Sequence, residues 1–184
     1  MTLVVQRAHD RFVTRGDGWV GRFCFSYGEH YDPANIRYGG LLAVNEFELD
    51  PGAGFGLHRH AGIDVVTVVL DGELTHIGPG EGAGLVAGQS RRLRTEGGLE
   101  HDERNEGSAP LRFVQAWLEP GHEPWLQLVA PGRTEQVEGP AFVLAGRGDV
   151  EVDGEVLVQG DSVRSDAAVA VTTSAGATAL CWTC

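Results

Sequence analysis

The sequence predicts an all-β protein built from two similar β-barrel lobes, and three observations predict it. Helical periodicity is nearly absent from the 184 residues. Short runs rich in valine, leucine and phenylalanine recur between turn signals in a chain with 27 glycines, the pattern of sandwiches and barrels. The chain also echoes itself. Val69-Leu70-Asp71-Gly72 resembles Val143-Leu144-Ala145-Gly146, and the heptapeptide from Val86 to Arg92 resembles that from Val158 to Arg164, at offsets of 74 and 72 residues.

Taken in order, strands are predicted at 41–49, 63–70, 73–77, 111–118, 141–145, 150–152, 155–158, 169–173 and 178–182, where apolar residues cluster between breakers. Asp71-Gly72 and Asp153-Gly154 separate neighbouring runs and supply the positive torsions of tight hairpins. Pro51-Gly52 and Pro79-Gly80 mark further turns. The expected lobes are residues 1–122 and 123–184, the second shortened and, having no histidine after His122, without imidazole ligands. Cys181-Trp182-Thr183-Cys184 has the spacing of half a zinc knuckle without a second half, and is read as the end of a core strand.

Composition narrows the function. The 14 basic and 26 acidic side chains give a net charge of −12, with no surplus of cations to neutralise phosphates, so nucleic acid is not expected as a direct partner. The cluster Arg91-Arg92-Leu93-Arg94 is read as a solvated strand edge. No membrane partner is expected, since no run of about 18 apolar residues is present and the first dozen residues carry charges where a leader would need an apolar stretch. With only three cysteines, a cytoplasmic location is the expectation.

The stretch around His58-Arg59-His60, read with His101-Asp102-Glu103, carries the chemistry. On a strand, alternate side chains share a face, so His58 pairs with His60, and His101 with Glu103. Surface histidines on a loop would explain either pair alone; the second pair, the flanking glycines and the strand-like runs between them favour a metal site. Three imidazoles and a carboxylate suit a divalent transition ion. Iron, manganese, nickel, copper and zinc all accept these donors. A histidine ligates only when neutral, so protons are expected to compete below a reference pKa near 6.5.

The run from Gly54 to Gly72, the segment Gly98-Leu99-Glu100-His101-Asp102-Glu103 with Asn105, and the entry segment Phe23-Cys24-Phe25-Ser26-Tyr27 followed by Tyr31-Asp32-Pro33 resemble the pirin family of bicupins. The resemblance spans roughly residues 7 to 120. It implies a bicupin fold and one metal ion held by His58, His60, His101 and Glu103. It also implies a metal-dependent dioxygenase of the quercetin 2,3-dioxygenase type, acting on flavonol-like small molecules with Glu103 as catalytic base. The alternative is a non-enzymatic metal-binding protein that acts through a protein partner in a redox or regulatory role.

Two positions depart from the family pattern: Asp64 where glutamate is more usual, and Glu96 where glycine is. Asp64 is the first candidate to orient an imidazole from behind, on the assumption of a continuous pleat after His60. His30 is a candidate for the pocket wall, whereas His9, His76 and His122 read as turn or surface residues, with a supporting role conceivable for His76. Phe25, Phe55 and Trp117 read as core.

Overall fold

A computed structural model describes residues 1–78, 84–123 and 126–184. The Pro79-Gly80 turn lies outside the described residues. Among those residues the strands are β1 (Leu3–Gln6), β2 (Phe12–Gly16), β3 (Trp19–Phe23), β4 (Leu41–Leu49), β5 (His58–His60), β6 (Asp64–Asp71), β7 (Glu73–Ile77), β8 (Leu85–Val86), β9 (Ser90–Arg94) and β10 (Leu99–Arg104). They continue with β11 (Leu111–Leu118), β12 (Gln127–Val129), β13 (Thr134–Val137), β14 (Ala141–Arg147), β15 (Val150–Val152), β16 (Glu155–Leu157), β17 (Ser162–Ser165), β18 (Val169–Thr173) and β19 (Thr178–Thr183). The only helical element among the described residues is a 3-10 turn at Ala8–Asp10. The expected all-β bicupin is what forms.

One compact unit comprises Phe12–Arg37 and Leu41–Gly121. It contains a six-stranded sheet in the order β2-β3-β4-β11-β6-β9 and a four-stranded sheet in the order β5-β10-β7-β8. The long apolar runs β4, β6 and β11 are adjacent in the larger sheet, with Phe113 of β11 opposite Phe47 of β4 and Val69 of β6. Phe23, Phe47, Leu49, Val69, Leu74, Leu111 and Phe113 form this unit's core. The other unit comprises Met1–Arg11, Tyr38–Gly40 and His122–Cys184. Its sheets run β1-β17-β14-β19-β12 and β13-β18-β15-β16. There β1 pairs antiparallel with β17, and Cys181 of β19 lies in the core, as a core strand requires.

The duplication is written in the backbone. In the first unit Gly88 N–H donates to Val69 O (2.9 Å) and Val69 N–H to Gln89 O (3.0 Å); in the second, Gly160 N–H donates to Ala145 O (2.8 Å) and Ala145 N–H to Asp161 O (2.9 Å). Side chains repeat the motif, since Val86 N–H donates to Gln89 Oε1 and Val158 N–H to Asp161 Oδ2. Both turns place a glycine in the left-handed region, Gly88 at φ 87° and Gly160 at φ 88°, where a side chain would be strained. Val69 therefore corresponds to Ala145 and not to Val143. The sequence echo is offset by two residues, one full strand period, which keeps every side chain on its face and hides the slip.

Several strands were not predicted, β9 and β10 among them. Both are built mainly from charged and polar residues, yet His101, Asp102 and Glu103 are buried. The solvated reading of the arginine cluster is corrected for Arg92. On β9, at the edge of the six-stranded sheet, its side chain is only 8% exposed and meets the 1% exposed Asp64 through Nε (3.0 Å) and Nη2 (2.5 Å), both on Oδ2.

Candidate metal centre

Strand pairing assembles the site. In the four-stranded sheet β10 lies between β5 and β7, so His101 stands opposite His58 while Glu103 stands opposite His76. Gly54 makes the approach to β5 feasible: a Cβ there would lie 2.8 Å from Arg104 Cγ and 3.0 Å from the Glu103 carbonyl oxygen. The segment thus crosses close to the backbone of Glu103, and Phe55 N–H donates to that carbonyl.

Three of the four residues singled out in the sequence, His58, His60 and His101, form one cluster, and Glu103 lies beside it against His58 and His101. One ring nitrogen from each of His58, His60 and His101 lies within 4.8 Å of the others. His58 Nε2 is 3.1 Å from His60 Nε2 and 3.5 Å from Glu103 Oε2. His58 Nδ1 lies 2.9 Å from Gly56 O, and because a carbonyl only accepts, the proton sits on Nδ1 and leaves an Nε2 lone pair facing the centre. Glu103 is fully buried, with Oε1 3.2 Å from His101 Nδ1. Gln115 Nε2 donates to that same Oε1 (2.8 Å), and Trp117 Nε1 donates to Gln115 Oε1 (3.4 Å). The indole N–H can only donate, so it fixes which end of the amide faces the carboxyl.

The other candidates fall elsewhere. Asp64 does not orient an imidazole: the pleat breaks after His60 in a bend, with Gly62 at φ 72°, and the carboxylate turns to Arg92. Glu96 is exposed. His30 does not line the cavity; its Nε2 meets Thr14 Oγ1 at 2.9 Å and its ring stacks on Phe12. His76, read as more at home on the surface, is buried against His101.

A cavity of about 270 Å³ opens onto His58 and His60, walled by Trp19, Phe23, Tyr27, Phe47, Phe55 and Gln115. Phe25 is core as expected, whereas Phe55 faces the cavity, edge-on to Trp19 at 5.7 Å. Trp117 is edge-on to both His60 and Tyr27.

Burial sets the protonation states. It drives His101 down to about 3, with nearby His58, His60 and His76 adding to the effect, and His60 down to about 4, with His58 adding. Burial also pushes the Glu103 carboxyl up to about 8, against the Gln115 hydrogen bond and with the help of Asp102. Near neutrality and without a metal, the His101–Glu103 contact is thus a hydrogen bond between largely neutral groups rather than an ion pair.

The profile of the pirin family matches residues 6–118. The chain belongs to the pirin family. A Mycobacterium tuberculosis protein named as a candidate quercetin 2,3-dioxygenase is 37% identical over 121 residues, covering 65% of this chain and 50% of its own. A Pseudomonas aeruginosa protein named in the same way is 31% identical over 189 residues, 96% of this chain and 76% of its own. This pirin spans about half the length of the first curated relatives it matches. Among solved structures, the bacterial pirin YhhW of Escherichia coli in complex with nickel(II) superposes with a TM-score of 0.84 at 18% identity, covering 98% of this chain and 97% of that one. At that identity the likeness speaks for the fold.

The donor set of this pirin fits a metal ion. His101 Nε2 and Glu103 Oε2 are buried without a hydrogen-bond partner among the described residues, and an unsatisfied buried polar atom costs about 1–3 kcal/mol. A cation between them and the His58 and His60 nitrogens would satisfy both. Were Glu103 a ligand, its own carboxyl proton would also compete with the ion. Because Glu103 would ligate only after losing a proton held up to about pH 8, metal affinity is expected to fall about tenfold per unit, or about a hundredfold, between pH 7.5 and 5.5. Chelator competition, corrected for the chelator's own protonation, checks this. A flat profile would contradict it.

Proposed function

We propose that this pirin is a metal-dependent dioxygenase acting on quercetin-like flavonols, with one divalent transition ion held by His58, His60, His101 and Glu103. The observation that carries the reading is the aromatic cavity that reaches two of the four donors. A structural ion would be closed off by protein ligands, whereas a catalytic one keeps positions facing a cleft. The cavity lies just below the usual range for ligand pockets, about 300–1,000 Å³, which suits a planar aromatic seated edge-first with its outer ring at the mouth.

A bound ion would supply Lewis acidity and free coordination positions for a chelating hydroxy-ketone. The chain's own residues do the rest. Phe23, Phe47 and Phe55 offer apolar ring faces and edges that select flat aromatic substrates and exclude water. Glu103, raised by burial and hydrogen-bonded by Gln115, would take the 3-hydroxyl proton on its carboxylate once it detaches from the ion. The names of the two bacterial relatives support the substrate class. Iron is the first choice of metal, and the donors accept manganese, nickel, copper or zinc as well.

The test is oxygen uptake and carbon monoxide release with quercetin, using protein loaded separately with each metal. Turnover is expected with at least one metal and is expected to drop at least about a hundredfold in Glu103→Gln at equal metal content. No turnover with any metal would instead favour a binding protein working through a partner.

A further inference from the structure

A fourth imidazole sits behind the three. His76 is 4% exposed, its Nε2 lies 3.0 Å from His101 Nδ1, and it occupies the β7 position directly across from Glu103. The two rings are 5.1 Å apart and inclined at 55°. His76 Nδ1 is buried with no hydrogen-bond partner among the described residues.

Proton counting gives this contact a role. A ligating imidazole nitrogen carries no proton, so His101, if it coordinates through Nε2, the buried ring nitrogen that has no hydrogen-bond partner among the described residues, has to keep its proton on Nδ1. Two acceptors lie within reach of that proton, His76 Nε2 at 3.0 Å and Glu103 Oε1 at 3.2 Å. Glu103 Oε1 already accepts from Gln115 and lies slightly farther away, which leaves His76 Nε2 as the nearer acceptor, with no other donor against it among the described residues. In the opposite arrangement His76 Nε2–H would donate to a bare His101 Nδ1, and His101 Nε2 would carry the proton and be unable to ligate.

We propose that His76 is a positioning residue of the metal centre, accepting the His101 Nδ1 proton and so holding His101 in the ligating tautomer. This rests on the metal-centre reading above. Because His76 Nδ1 has no hydrogen-bond partner among the described residues, none of them anchors the pair from behind, and a bound ion would select between its two tautomeric arrangements.

Cobalt(II) titration, read by chelator competition and by the visible d–d spectrum, tests the idea in wild type, His76→Leu and His76→Gln. The Leu variant removes the acceptor and is expected to bind cobalt about 10- to 100-fold more weakly, with an altered spectrum. The Gln variant restores an acceptor oxygen near the Nε2 position and is expected to recover most of the affinity and the wild-type spectrum. Unchanged affinity and spectrum in His76→Leu would overturn the proposal, as would equal weakening of both variants in step with equal losses of thermal stability. Failure of wild type to bind cobalt at all would overturn the metal-centre reading as well, which keeps the two failures distinct.

Discussion

A His58→Ala, His101→Ala double variant is expected to purify with about a tenth or less of the wild-type metal content, while wild type carries close to one ion per chain. The two substitutions remove cross-strand neighbours on β5 and β10, leaving only His60 and Glu103 of the four donors. Two donors cannot reproduce a binding free energy that four-ligand sites place on the order of 10–16 kcal/mol. Glu103 would also lose its reason to ionise, since burial, with Asp102 adding to it, holds its carboxyl up at about 8. Elemental analysis of the purified protein, with circular dichroism to confirm the fold, is the check. Unchanged occupancy would place the ion elsewhere.

Asp64→Ala is expected to destabilise the protein by about 3–5 kcal/mol, the usual cost of removing one partner from a buried ion pair. Two of Arg92's guanidinium nitrogens address a single Asp64 oxygen, and the arginine side chain is 92% shielded from water. Replacing both with leucine, which removes the charges together, is expected to recover much of the loss. Urea denaturation measures both effects. Since Asp64 turns away from the imidazoles, metal affinity in the folded Asp64→Ala protein is expected to stay within about threefold of wild type, whereas an orienting partner would cost about 10- to 100-fold. A loss of stability below about 1 kcal/mol would mean that the pair contributes no more than a surface salt bridge.

The candidate donors could be read from the sequence because a strand period of two is local: His58 with His60, and His101 with Glu103, share a face wherever the strands lie. His76 could not be read in this way. Its meaning comes from the β7–β10 register, which brings it opposite Glu103, 27 positions away, and nothing within Glu73-Leu74-Thr75-His76-Ile77 announces that pairing. Gln115 left a clearer signal. A lone amide inside the apolar run Leu111–Leu118, on the same face as Phe113 and Trp117, needs a buried partner, and that partner is Glu103. The cavity wall is drawn from β3, β4 and two connecting segments, so Trp19, Phe23, Tyr27, Phe47 and Phe55 meet only once the sheets are formed. Asp64 misled because a bend three residues long separates β5 from β6, and a face assignment does not survive a break in the pleat.

The most direct test of the metal centre is anomalous X-ray diffraction, with data collected on either side of the absorption edge, from crystals of protein purified without added metal. The predicted result is a single anomalous peak about 2.0–2.2 Å from the inward ring nitrogens of His58, His60 and His101 and from a Glu103 oxygen. Absence of a peak there, with the four side chains hydrogen-bonded only to one another, would contradict it.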